Sequence, residues 1–209
     1  LGESGSGKSL IMHAIMGSLP HGTTASGSIR LGDRDLMALP PRDRRALWGR
    51  VLSLLPQEPW LALDPTMTVQ NQVAEEHRLV RARSDDDAMA AAGRDLTAVG
   101  LAQAAALYPF QMSGGMCQRA AIAILHGARS DIILADEPTK GLDTHLRNSS
   151  VARLRAEADD GRLLLTITHD IAVARAIGGT VAVMRDGRIV EQGPADTVLE
   201  RPAHAFTRA

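Results

Sequence analysis

Eight residues near the start of the chain, Gly2-Glu3-Ser4-Gly5-Ser6-Gly7-Lys8-Ser9, have the types and spacing of a phosphate cradle, G-x-x-x-x-G-K-[ST]. Glycines at these steps let backbone N–H groups turn inward around an anion, and a helix that follows points its positive end at the same charge. Lys8 supplies a point charge for β- and γ-phosphates, and Ser9 a hydroxyl for Mg²⁺. Chance is a poor explanation. With 19 Gly, 2 Lys and 24 Ser plus Thr in 209 residues, such a match is expected about 0.002 times in a chain of this composition.

A second group of chemistry-bearing residues ends the apolar run Ile132-Ile133-Leu134-Ala135 with Asp136 and Glu137. A buried strand delivers such carboxylates to its C-terminal edge, where α/β proteins bind ligands. Asp136 suits a Mg²⁺ shell, and Glu137, one residue farther, suits a base that polarises an attacking water. Alone, the pattern reads equally as a strand ending in a solvated acidic turn; a phosphate loop upstream favours the chemical reading. Ser113-Gly114-Gly115 opens a further helical segment. Serine caps helices well, and two glycines leave N–H groups open, which makes a second anion site or a plain turn.

The elements that must hold these residues alternate strand and helix. Helices are expected over 8–16, 69–83, 85–99, 115–126 and 143–159, and strands over 28–31, 51–55, 132–135, 163–168 and 181–184. Runs apolar on both faces call for a parallel sheet covered by helices. The stretch 57–68, with Pro59 and Pro65, reads mostly as loop, and roughly 67–127 has no strand pattern and reads as a helical lobe.

Composition narrows the class. A net charge of −1 offers no basic field for nucleic acid, and 2% aromatic residues leave little to stack bases. The single Cys117 excludes a disulfide framework and a cysteine-based zinc site. No uncharged apolar run reaches the length of a membrane span. The chain starts at Leu1, directly before the first motif, and reads as continuing upstream.

The order of motifs then carries a resemblance. GESGSGKS, Gln57 in LLPQEP, MSGGMCQR, IILADEP, Gly141-Leu142-Asp143 and His169 in ITHD follow one another along essentially the whole chain. The sequence resembles the ATP-binding subunit of ABC transporters. The resemblance implies an α/β P-loop NTPase core of the RecA-like type, residues 1–57 and 128–209, with an inserted helical subdomain, 58–127, that bears the signature motif. It implies ATP and Mg²⁺ as cofactors. Gly2, Glu3, Ser4, Gly5, Ser6, Gly7, Lys8 and Ser9 would cradle phosphates. Ser9, Gln57 and Asp136 would serve the metal. Glu137, His169 and Gln57 would act in hydrolysis. Ser113, Gly114, Gly115 and Asp143 would meet the nucleotide across a head-to-tail dimer.

Met112 and Met116 flank Ser113-Gly114-Gly115 where the family commonly has Leu and Gln, and Lys140-Gly141 replaces a commoner small pair. Met116, the segment QEPWLALDPTMTV and the tail RPAHAFTR resemble the peptide, opine and nickel importer branch. That branch implies import of peptides or a related small solute, a second ATP-binding subunit (identical or not), permease subunits, indirectly a substrate-binding protein, and a peripheral place on the cytoplasmic face of the plasma (inner) membrane. The family's adenine-stacking aromatic and the strand feeding the phosphate loop are expected upstream of Leu1. The alternative is a non-transport ABC-type ATPase of repair, translation or regulation. The single cysteine, the absence of a long heptad run and of a second cassette speak against the first two. Glu137 and His169 together speak against a module without turnover.

Overall fold

The computed structural model describes residues 1–3 and 5–208. In chain order these form α1 (Lys8–Met16), β1 (Arg30–Leu31), β2 (Arg34–Asp35), α2 (Pro41–Arg45), β3 (Leu52–Leu55), α3 (Pro59–Ala62), α4 (Val69–Glu75), α5 (Asp85–Ala98), α6 (Gly114–Ala128), β4 (Ile132–Asp136), α7 (Thr144–Asp159), β5 (Leu163–Ile167), α8 (Ile171–Ile177), β6 (Thr180–Arg185), β7 (Arg188–Pro194), α9 (Ala195–Glu200) and α10 (Ala205–Arg208). The chain divides into two compact units, residues 1–48 with 166–209, and 49–165.

In the first unit β6 and β7 form an antiparallel hairpin with a register shift at Val183/Met184. Val181, Val183, Ala195 and Val198 make its apolar centre, with Leu1, Val190 and Phe206 packed against them. The start of the chain is tied to this hairpin. Leu1 donates its amino group to the Ala182 carbonyl at 2.7 Å, Met184 N–H donates to the Leu1 carbonyl at 2.8 Å, and Gly2 bridges Met184 in parallel. The strand β7 was not legible in the sequence, because Arg188-Ile189-Val190-Glu191-Gln192-Gly193 mixes charge and glycine; only the hairpin partner makes it a strand.

In the second unit β4 lies between β3 and β5. β3 and β4 are parallel, with Leu52 opposite Ile132 and Leu55 opposite Ala135. Their apolar residues join a core that combines small helical side chains, Ala88 and Ala92 from α5 and Ala120 and Ala123 from α6, with the larger Leu96 and Leu125 of the same helices. Alanines let these helices approach closely, and native-density packing follows from their small volumes. Serine, threonine or aspartate caps start the helices: Thr68 for α4, Ser84 for α5, Ser113 for α6 and Asp143 for α7, each accepting a backbone N–H. Asp85, Asp86 and Asp87 occupy the first turn of α5, where the helix dipole favours negative charge.

Two expectations change. The helix expected over 69–83 is α-helical only to Glu75 and continues as a π-helical turn, Glu76–Val80. That wider turn carries buried His77, whose Nε2 meets Asp95 at 2.7 Å. Within the expected loop 57–68, Pro59 starts the one-turn helix α3, which buries Pro59 and exposes Trp60 and Leu61.

Candidate functional site

The phosphate loop belongs to the first unit. Gly2, Gly5 and Gly7 have φ of 147°, 83° and 91°, which other residues rarely adopt, and Gly7 hands the chain to α1 from a left-handed conformation. Lys8 is buried, and its Nζ donates to the carbonyls of Gly2 at 2.8 Å and Glu3 at 2.6 Å and lies 3.3 Å from Ser6 Oγ. Ser6 Oγ also donates to the Glu3 carbonyl at 2.8 Å. The ammonium is thus held at the mouth of its own loop, beside the start of α1, with half-buried Ser9 one residue on. Ser4, expected in this cradle, lies outside the described residues. Gly2 has a second reason to be glycine. A Cβ there would stand 2.3 Å from the Met184 carbonyl oxygen, so the backbone pairing with β6 admits no side chain.

His169 is also in the first unit. It sits exposed on the bend between β5 and α8, framed by buried Thr168 and by Asp170, which caps α8 by accepting from Ala172 and Val173 N–H groups. Asp170 N–H in turn donates to Thr168 Oγ1 at 3.0 Å. The histidine is presented by a braced turn.

The second unit gathers the carboxylates and Gln57. The parallel register that sets Leu55 opposite Ala135 brings Gln57 and Glu137 off the same sheet edge, each two residues past its paired position. Asp136 ends β4 and is buried, and its Oδ1 has no hydrogen-bond partner among the described residues. A buried carboxylate oxygen left so is costly unless a cation or donor meets it. Glu137 is half-buried with φ of 46°, an unusual backbone for a non-glycine residue and one that turns the chain sharply at the strand end. Lys140 N–H closes that turn onto the Glu137 carbonyl at 3.0 Å.

Ser113 caps α6 by accepting from Met116 N–H at 3.3 Å, and Ser113 and Gly114 are exposed at the helix start. A Cβ on Gly114 would meet nothing within 4 Å among the described residues, which leaves this helix start uncovered by them. Asp143 is exposed and its carboxylate accepts from Leu146 N–H at 2.9 Å as the cap of α7. Sequence reasoning missed the role of Gln118. Its buried side chain reaches from α6 to donate to the Pro138 carbonyl at 2.7 Å, pinning the turn that carries Glu137. Nothing in the sequence marks that contact, because Pro138 is remote in the chain and acts through its backbone carbonyl, which every residue has. Cys117, next to it, is buried, and burial pushes its thiol above the usual range.

A glycine-rich loop with its lysine at a helix start, and paired carboxylates on a parallel sheet edge, define a nucleotide-binding α/β protein. A family model described as ABC transporter matches residues 1–140, and the chain belongs to that family. Among curated relatives it is 35% identical over its whole length to the peptidoglycan transport ATP-binding protein YejF of Agrobacterium fabrum, of which it covers 39%. It is 36% identical to a putative peptide import ATP-binding protein of Brucella melitensis, with 99% of this chain and 64% of the relative aligned. It is 32% identical to the dipeptide transport ATP-binding protein DppD of Escherichia coli, over 100% of this chain and 65% of the relative. The chain therefore spans from about two fifths to about two thirds of the length of these relatives. Among solved structures, the ATP-binding cassette MJ0796, as a dimer in a post-hydrolysis state with ADP and Pi, superposes with a TM-score of 0.81 at 27% identity, covering 93% of this chain and 83% of the other. The fold is that of an ABC ATPase cassette.

Proposed function

We propose that this chain is the ATP-binding, ATP-hydrolysing subunit of an importer whose cargo is a peptide or a related small solute. The observation that carries the reading is the sheet edge where Gln57, buried Asp136, whose Oδ1 has no partner among the described residues, and Glu137 leave β3 and β4 together. The import of peptides is what the Brucella melitensis relative's name describes, and it supports the cargo class.

In this reading Lys8 binds the β- and γ-phosphates, with the inward N–H groups of the loop and the start of α1 sharing the charge. The orphaned Asp136 oxygen fits a divalent cation, and Ser9, Gln57 and Asp136 would hold Mg²⁺. The ion, when bound, neutralises charge on the phosphates. Glu137 accepts a proton from the attacking water or orients it, and His169 meets the γ-phosphate. Ser113, Gly114 and Gly115 bind the γ-phosphate held by a second ATP-binding subunit, and Asp143 lies at the seam of that pair. Residues 1–57 and 128–209 act as the catalytic core and 58–127 as the helical subdomain. Permease subunits and a substrate-binding protein complete the transporter, with this subunit peripheral on the cytoplasmic face of the membrane.

The test is Glu137→Gln. ATP binding is retained, while hydrolysis falls by roughly 10²–10⁴-fold, the usual worth of a positioned base. Binding by a fluorescent ATP analogue and phosphate release separate the two effects. Turnover at the unaltered rate would assign the water to another group.

A further inference from the structure

The second unit holds a polar cluster remote in sequence from the phosphate loop and unused by the mechanism above. Asp95 on α5 meets His77 Nε2 at 2.7 Å with one oxygen, and its other oxygen lies 4.0 Å from His126 Nε2 on α6. His126 Nδ1 meets Glu157 of α7 at 2.7 Å, and Glu157 is also paired with Arg162 at 2.5 Å. Position 127, inside α6, is glycine although glycine disfavours helices. A Cβ there would stand 3.2 Å from His77 Nε2 and 3.5 Å from Asp95 Oδ2, so the helix has made room for the pair.

Beside this pair is a cavity of about 140 Å³, walled by His77, Arg83, Arg94, Asp95, His126 and Arg129. At ~30 Å³ per water it holds about four to five waters, and it is far below the ~300 Å³ at which pockets for drug-sized ligands begin. Three arginines line it against one carboxylate, Asp95, which His77 already engages. The hydrogen bond to Glu157, followed by the charges of Glu157 and Asp95, raises the pKa of His126 against burial and Arg162, which favours a further positive charge on this wall. His77 is 5% exposed, and its Nδ1 is buried with no hydrogen-bond partner among the described residues. Cationic donors of planar, forked geometry around a small polar space match a compact oxyanion.

We propose that this cavity binds a small tetrahedral oxyanion of the phosphate or sulfate class. Arg83, Arg94 and Arg129 supply the charge, and the imidazoles of His77 and His126 line the same space. A bound oxyanion ties α5 to the C-terminal end of α6, the helix whose other end carries Ser113.

The test follows the ring-proton resonances of His77 and His126 by NMR while sodium sulfate, and separately sodium phosphate, is added to the intact chain. Sodium chloride at matched ionic strength serves as the control. The same titrations on Lys8→Ala remove oxyanion binding at the phosphate loop. The proposal expects saturable shifts of both histidines with sulfate and phosphate but not chloride, kept in Lys8→Ala. Arg94→Gln should weaken the affinity about tenfold or more, as loss of a charge-assisted hydrogen bond does. Arg83, Arg94 and Arg129 are all at exposed positions, and Arg83→Gln and Arg129→Gln give the same readout should Arg94→Gln not fold. Shifts that match chloride, that vanish in Lys8→Ala, or that survive all three arginine variants would overturn it.

Discussion

At Gly2 a single hydrogen stands where any other residue places a carbon, and that carbon would lie 2.3 Å from the Met184 carbonyl. The neighbour is backbone, so it cannot swing aside. Gly2→Ala is therefore expected to destabilise the first unit by about 1–3 kcal/mol, the usual cost of overpacking, and to weaken ATP binding through loss of the loop's tie to β6. Chemical denaturation and nucleotide titration of the same variant check both effects. Lys8 acts by charge. Its Nζ already sits among loop carbonyls at 2.6–2.8 Å, and the chain's only other lysine, Lys140, lies in an exposed turn. Lys8→Ala should lower ATP affinity about a hundredfold, as loss of charge-assisted hydrogen bonds to phosphate does, with fold content by circular dichroism unchanged. Affinity within a few-fold of the unaltered chain would remove Lys8 from the phosphate site. The residue types at this site were legible because the loop's glycines, lysine and serine are each the simplest answer to a local demand. The contact that fixes Gly2 was not, since Met184 is remote in the chain and acts through its carbonyl, which every residue has.

Among the elements, those with caps and a clear period could be read from the sequence. α1 spans the expected 8–16, and α7 begins one residue after Asp143, its cap. β3, β4 and β5 fall within a residue of the apolar runs. What escaped is where tertiary contact overrides local pattern: the π-helical turn around His77, whose partner Asp95 lies on another helix, and α3, where two prolines suggest loop but Pro59 merely occupies a helix start. The helix contacts of His126 carry a pH dependence. Its bond to Glu157 on α7 raises its pKa above the ordinary histidine value, with Asp95 on α5 adding to it and Arg162 opposing. A group raised on folding contributes stability that is full below the unfolded value near 6.5 and fades as pH rises through the folded value. The thermal midpoint should thus fall as pH rises above the ordinary histidine value of 6.5, and His126→Gln should flatten that fall. Identical pH profiles for the two proteins would show that the His126–Glu157 contact carries no such linkage.

On the scale of the whole molecule, one exposed element calls for a partner. α3 presents Trp60 and Leu61, 47% and 73% exposed, on a single turn held by buried Pro59 and Leu63. Large apolar side chains side by side on a short, fixed turn are a contact surface in waiting. Trp60→Ala should leave basal ATP hydrolysis near normal and reduce co-purification with the permease subunits of the proposed transporter by about tenfold, within the range of a buried aromatic anchor. Unchanged co-purification would place the permease contact elsewhere. A different tie reaches farther. Gln118 fastens α6 to the Pro138 carbonyl at 2.7 Å, one residue past Glu137. In the proposed head-to-tail pair, the tip of α6 would be what a subunit lends its neighbour, and Glu137 what it keeps for its own nucleotide. One amide therefore yokes the loan to the holding. In that proposed pair, a subunit that shifts its lent tip to grip the neighbour's phosphate would draw its own hydrolytic turn with it, and the two nucleotides would share a common clock rather than keep separate time.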